Sequence, residues 1–157
     1  PRLVALGLRM IGARAAVAEA TGDGAERFYD AHRTAQGVPA FGRDFGPEEV
    51  FLTDVNYDAL NGVDYKKGCF VGQEVTSRMK RKGDIRKRTV QLSFDGPAPA
   101  KGAPVMAGDN AIGEVLSGVD GMALALVRLD RLAGANAALS ADGRPVRVAI
   151  PDWLEQS

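Results

Sequence analysis

The chain has 157 residues, 45% of them hydrophobic and 25% charged, a composition that can bury a real core in one or two small domains. Twenty basic and twenty acidic side chains cancel, so the chain as a whole has no net field to gather nucleic acid or anionic lipid. The longest apolar runs, such as residues 122–127, fall far short of the roughly 20 residues of a membrane-spanning helix. The one cysteine, Cys69, excludes an internal disulfide and fits a reducing cytoplasm.

Residues 1–20 carry three arginines scattered among apolar residues and have no signal-peptide order. A chain that starts on proline reads as a piece of something longer. The first element in chain order is announced by Asp23 with Glu26 three residues later, an approximate capping box. Ala25, Phe28, Tyr29, His32 and Ala35 then recur at helical spacing, which predicts a helix burying that face, and Gly37 with Pro39 stops it. On that face His32 reads as packed and hydrogen-bonded. Residues 41–49, with two glycines, a proline and three acidic side chains, read as an exposed loop.

Residues 72–82 are mostly good helix formers, with Val71, Val75 and Met79 at four-residue steps and Gly83 placed to end the run. After Arg88 the period changes to two, in Val90, Leu92 and Phe94 and again in Val146, Val148 and Ile150. Asp95-Gly96, Asp120-Gly121 and Asp142-Gly143 mark tight turns between apolar runs. The pattern predicts an α+β chain, with helices over residues 1–86 and a small antiparallel β-barrel over residues 87–157. Trp153, after Pro151, is placed to anchor the C-terminal tail on that barrel.

The densest chemistry lies in Lys67, Gly68, Cys69, Phe70, Val71, Gly72, Gln73 and Glu74, with Arg78 four residues further on. Gly68 and Gly72 let the backbone come close to a ligand or partner, and amides opening the following helix favour an anion or a thiolate. Cys69 can serve there as a nucleophile, a redox thiol or a metal ligand; the plain alternative is a small buried apolar residue. Glu74 and Arg78 have the i, i+4 spacing of a helical ion pair. Nine of the twenty basic residues fall within residues 66–88, opposed only by Glu74 and Asp84, so a local positive patch is expected. That patch can neutralise phosphates or carboxylates, but between Arg78 and Arg88 no aromatic interrupts it for base stacking. One cysteine and one distant histidine cannot complete a zinc site within the chain.

The run from Lys67 to Glu74 followed by Arg78 resembles the signature of YgfZ-type folate-binding proteins, which include mitochondrial iron–sulfur assembly relatives and are related to the glycine-cleavage T-protein. The resemblance extends to Pro1-Arg2-Leu3 with Leu6-Gly7 and Arg9, to His32-Arg33 with Gly37-Val38-Pro39, to Leu60-Asn61-Gly62-Val63, to Arg86-Lys87-Arg88, and to the alternating Ala123-Leu124-Ala125-Leu126. It implies the C-terminal part of a T-protein-like folate-binding domain followed by a β-barrel, with domains arranged around a central channel. It also implies a folate-dependent accessory role in assembly or repair of iron–sulfur proteins, including tRNA-modifying ones, with tetrahydrofolate or a derivative as cofactor. Carried over residue by residue, it makes Cys69 the reactive thiol and Asp54, Asn56, Lys67, Gly68, Gly72, Gln73, Glu74 and Arg78 the cofactor-binding set, with no resident metal. Folate and iron–sulfur assembly or client proteins are the implied partners, in the cytoplasm or, for a eukaryotic chain, the mitochondrial matrix.

Three departures bear on this. Phe70 stands where tyrosine is commoner, Asp54 takes the acidic position of a proline-leucine-glutamate motif, and Ala35 replaces the glutamate of the T-protein's arginine-x-glutamate pattern. The last weighs against the first alternative, a true aminomethyltransferase. The second alternative is a tRNA-binding module built on the stretch from Arg78 to Arg88.

Overall fold

The structure, a computed structural model, describes residues 3–22, 24, 26–69, 71–82 and 85–155. After a 3-10 turn at Val4–Leu6 come three α-helices: α1 (Arg14–Thr21), α2 (Glu26–Ala35) and α3 (Gln73–Lys82). The strands follow as β1 (Lys87–Ser93), β2 (Pro104–Ala107), β3 (Asn110–Val119) and β4 (Met122–Arg128), then β5 (Leu139–Ala141), β6 (Arg144–Pro145) and β7 (Arg147–Ala149). Two short helices, α4 (Leu129–Ala133) and α5 (Asp152–Glu155), complete the described chain. Asp23, Ala25 and Gly83, which carry the predicted start and one apolar position of α2 and the stop of α3, lie outside the described residues.

All strand pairs are antiparallel, in the order β6-β5-β2-β3-β4-β1-β7. Its two edges, β6 and β7, are separated by Val146 alone, so the sheet must roll round until its edges meet in a nearly closed barrel. Val90, Leu92, Val105, Ile112, Val115, Ala123, Ala125, Val127 and Val146 fill the interior. The alternating run on β4 has a structural reason. Ala123 and Ala125 point into the narrow lumen, while Leu124 and Leu126 join Leu116 in a second cluster on the outer face, against Val50. Gly113 is required at that wall, because a Cβ there would overlap the Leu126 carbonyl.

Of the predicted turns, Asp120-Gly121 joins β3 to β4 and Asp142-Gly143 joins β5 to β6, with positive φ at Gly121, Asp142 and Gly143. Asp95-Gly96 is not a hairpin, since β1 and β2 are not neighbours; it opens a long connection, and Gly121 donates to the Gly96 carbonyl at 2.9 Å. The β2–β3 hairpin turns instead at Gly108.

The helix face prediction for α2 is corrected. Phe28, Tyr29, His32 and Ala35 are exposed, and the buried side chains are Arg33 and Thr34. Arg33 is 2% exposed because its guanidinium is consumed by internal partners: Nε donates to Asp30 Oδ1 at 2.9 Å, Nη1 to Asp44 Oδ2 at 2.7 Å and Nη2 to Ser117 Oγ at 3.3 Å. Ser117 Oγ also donates to Asp44. The loop expected to be exposed therefore contributes buried Asp44 to this latch between α2 and β3, and it also buries Phe45, edge-on to Phe41 and Tyr57. His32 is solvent-facing, but Nε2 is 2.8 Å from the Ala5 carbonyl oxygen.

The exit of α2 is fastened as well. Gln91 on β1 donates to the Thr34 and Ala35 carbonyls, and Trp153 Nε1 donates to the Gln36 carbonyl at 2.9 Å. Gly37 has φ 72 and Pro151 packed where a Cβ would stand, so the Gly-Val-Pro stop is also the docking point of the C-terminal tail.

Candidate functional site

Cys69 is exposed, in a turn flanked by Gly68 (φ 91) and Gly72 (φ 80). Neither glycine has anything within 4 Å of a notional Cβ, so both are there for the left-handed backbone and not for close approach of a neighbour. Lys66 and Lys67 are exposed on the same turn, and Phe70 lies outside the described residues. The helix that follows starts at Gln73, with Thr76 donating from its amide and from Oγ1 to the Gly72 carbonyl.

α3 rests on the rest of the chain through one side. Thr76 is buried, the Thr53 hydroxyl donates to Met79 Sδ at 3.6 Å, and Lys80 Nζ stands 4.3 Å from the centre of the Tyr65 ring. Glu74 and Arg78 point outward and are exposed; among the described residues they form no ion pair with each other. Of the apolar residues at four-residue steps, Val71 is fully exposed, Val75 half-exposed and Met79 partly buried.

A polar junction ties residues 53–58 to the first barrel strand. Arg88 makes a two-pronged pair with Asp58, at 2.5 and 2.9 Å, and donates to the Thr53 carbonyl at 2.9 Å. Arg88 is thus withdrawn from the surface cation patch in which the sequence placed it. Asn56, fully buried with φ 60, donates from Nδ2 to the Thr89 carbonyl at 2.7 Å, and its Oδ1 has no partner among the described residues. Asp54 is buried beside it, where Oδ2 accepts from the Phe51 amide at 3.3 Å and the Thr89 hydroxyl donates to the Asp54 carbonyl. Burial raises the Asp54 carboxyl above the usual aspartate range, against the Phe51 amide and the charges of Lys87 and Arg88. Burial likewise pushes the Tyr65 phenol up, with Asp58 adding and Arg88 opposing.

The predicted set therefore divides in space. Cys69, Lys67, Gly68, Gly72, Glu74 and Arg78 are together on an exposed turn and helix face, with Gln73 half-buried between them. Asp54 and Asn56 sit inside the junction, bonded to backbone. A separate cleft of about 750 Å³ lies near the start of the described chain, lined by Leu3, Leu6, Leu8, Met10, Arg9, Tyr29 and Asn61, among others. Cys69 does not line it. Sequence reasoning missed this cleft because Tyr29 reads as a core position; Arg9, alone among apolar neighbours, was the signal for it.

In chemical terms the turn offers one accessible thiol amid cations. Among the described residues no cluster of histidine, cysteine and carboxylates is grouped to hold a metal. No helix among them is long and apolar enough to cross a membrane.

Residues 86–156 match the family model of the CAF17 C-terminal beta-barrel domain. The chain is 35% identical over 132 residues to the iron-sulfur cluster assembly factor IBA57, mitochondrial, of Homo sapiens, across 80% of this chain and 37% of that protein. It is 40% identical over 99 residues to the mitochondrial IBA57 homolog of Mycosarcoma maydis, across 60% of this chain and 24% of that one. Among solved structures it is similar to the glycine cleavage system aminomethyltransferase T from Bartonella henselae, with TM-score 0.60, 22% identity and coverage of 88% of this chain and 42% of that one. The chain spans well under half the length of each of these proteins. The chain thus has a mixed helix-and-strand fold with a nearly closed antiparallel β-barrel in the region that the CAF17 C-terminal barrel model matches, and it shares that fold with a T-protein aminomethyltransferase.

Proposed function

We propose that the chain works as part of a folate-dependent accessory protein of YgfZ type in iron–sulfur cluster assembly or repair, with Cys69 as its working thiol. The observation that carries this reading is the placement of Cys69 on an exposed, cation-flanked turn ahead of α3. Similarity to proteins named as iron-sulfur cluster assembly factors supports it. The thiol contacts a cluster, a sulfur species or a partner's thiol, and α3 with its polar junction holds the turn in place for that contact. In a eukaryotic cell the setting is the mitochondrial matrix, a choice supported by the word mitochondrial in those relatives' names.

For folate, the cleft near Leu3 is the better fit than the cysteine turn. Its leucines and Met10 suit the ring system, Tyr29 offers a stacking face, Arg9 suits a glutamate carboxylate, and its size is that of a small-molecule site. Asn61 supplies an amide for orientation. Folate when bound would supply one-carbon or redox chemistry; these residues would bind and orient it. Ala35 cannot provide the carboxylate that an aminomethyl transfer needs, which ranks the aminomethyltransferase reading below this one.

Cys69→Ala tests the thiol. It is expected to abolish support of cluster-dependent enzymes in a complementation assay while the melting curve stays unchanged; full complementation would remove the thiol from the mechanism. Titration with tetrahydrofolate, followed by tryptophan fluorescence in the native chain and in Arg9→Ala, tests the cleft. Saturable binding weakened by the variant is expected, and equal binding by both would place folate elsewhere.

A further inference from the structure

Resting on the reading of the cleft near Leu3 as the folate site, we propose that His32 is its positioning residue, whose imidazole pins residues 3–10 in place as one wall of the cleft. The segment has little else to hold it. No residue of the Val4–Leu6 turn or of α1 is buried. Among the described residues no other hydrogen bond or ion pair joins residues 3–22 to the rest of the chain.

The turn offers the carbonyl that His32 takes. Its internal bonds use the Leu3 and Val4 carbonyls, which accept from the Leu6 and Gly7 amides at 3.1 and 3.0 Å, and the Ala5 oxygen is left for His32 Nε2 at 2.8 Å. A carbonyl oxygen only accepts, so Nε2 carries the hydrogen. Gly7, at φ 77, ends the turn in a conformation that a side chain disfavours. Leu3 and Leu6 before it and Leu8, Arg9 and Met10 after it all line the cleft. From α2 the cleft takes Tyr29, and His32 stands three residues on, one turn further along the same helix face. That exposed face thus has two tasks: Tyr29 meets the ligand, and His32 fixes the wall that carries Arg9. Releasing the pin leaves Tyr29 and Asn61 where they are but takes the leucines and the guanidinium away from them.

The experiment compares the full-length protein with its His32→Ala, His32→Gln and His32→Asn variants. Hydrogen exchange at the Leu6 and Gly7 amides reads the wall, and calorimetric titration with tetrahydrofolate reads the cleft. His32→Ala should exchange about fivefold faster there and bind about fivefold more weakly, the effect of losing one hydrogen bond. Glutamine carries its amide nitrogen as many bonds from Cα as histidine carries Nε2, and should restore both. Asparagine, one bond shorter, should restore neither, a pattern that general disturbance of α2 does not produce. His32 is exposed, so the melting curves of all three variants should match the parent's. Exchange that ignores His32→Ala, or that asparagine and glutamine restore equally, would overturn the proposal. If exchange follows the pattern while tetrahydrofolate binds all four proteins alike, or none of them, the pin stands and the folate reading falls.

Discussion

Between β1 and β7 the barrel interior is made of valine, leucine, isoleucine and alanine, whereas the buried residues ahead of it include Arg33, Thr34, Asp44, Thr53, Asp54 and Asn56. The surfaces differ in the opposite sense. Of the twelve large hydrophobic residues that stand exposed among the described ones, eleven precede residue 76 and only Ile150 comes after it. The barrel holds itself together by burying apolar area in a sheet whose ends meet. The segment before it is latched on by buried charges and leaves its apolar side chains, and its one thiol, facing outward. Residues given up to the surface are available for function; residues that hold the latch are not.

The sharpest way to break that contrast is to remove one arm of the latch. Arg33→Met leaves the Asp44 carboxylate buried without its cation and should cost about 3–5 kcal/mol, read as a lowered urea midpoint by Trp153 fluorescence. A loss below about 1 kcal/mol would show that the latch is not what joins the halves. Leu124→Ala cuts the apolar contact outside the barrel and should cost about 2–5 kcal/mol, with β-sheet circular dichroism outlasting the Trp153 signal on heating. Gly72→Ala places a side chain at φ 80 ahead of α3 and should cost about 1 kcal/mol, with a change in Cys69 alkylation rate larger than any change in barrel stability.

A pH series sharpens the comparison further. The folded carboxyl of Asp54 is raised above its unfolded value by burial, so its protonated form favours the native state. Its contribution is fully present below the ordinary aspartate value of 3.8 and is lost as pH rises through the folded value. Asp54→Asn keeps an acceptor for the Phe51 amide, and its stability relative to the parent should improve across that rise; a constant difference from acid to neutral pH would contradict the assignment. The smallest effect belongs to the exposed pair on the barrel, where the Arg128 guanidinium holds the Asp130 carboxyl down at about 2. Asp130→Asn should leave the urea midpoint unmoved.

The barrel was legible because its rule is local. Period-two valines and leucines in β1, and Asp142-Gly143 at a two-residue turn, say where each side chain must point whatever the neighbours are. Helical periodicity is weaker evidence. It grouped Phe28, Tyr29, His32 and Ala35 on one face of α2 but did not say which face meets the chain, and Asp44, the partner that decides it, lies 11 residues from Arg33. The β2–β3 hairpin at Gly108 and helix α1 passed unnoticed, the first for lack of an Asp-Gly or Asn-Gly pair. At the site, the turn around Cys69 was readable from its two glycines and its lysines, which are adjacent in sequence. The cleft near Leu3 was not, since Arg9, Tyr29 and Asn61 meet only through the fold.

The most direct measurement is the reactivation of an apo [4Fe–4S] enzyme in an extract depleted of its own assembly factor, by the full-length protein with Cys69 either free or blocked with iodoacetamide. Free Cys69 should restore cluster content, and the blocked protein, folded to the same melting point, should not. Equal restoration by the blocked protein would contradict the claim that the exposed thiol ahead of α3 does the work.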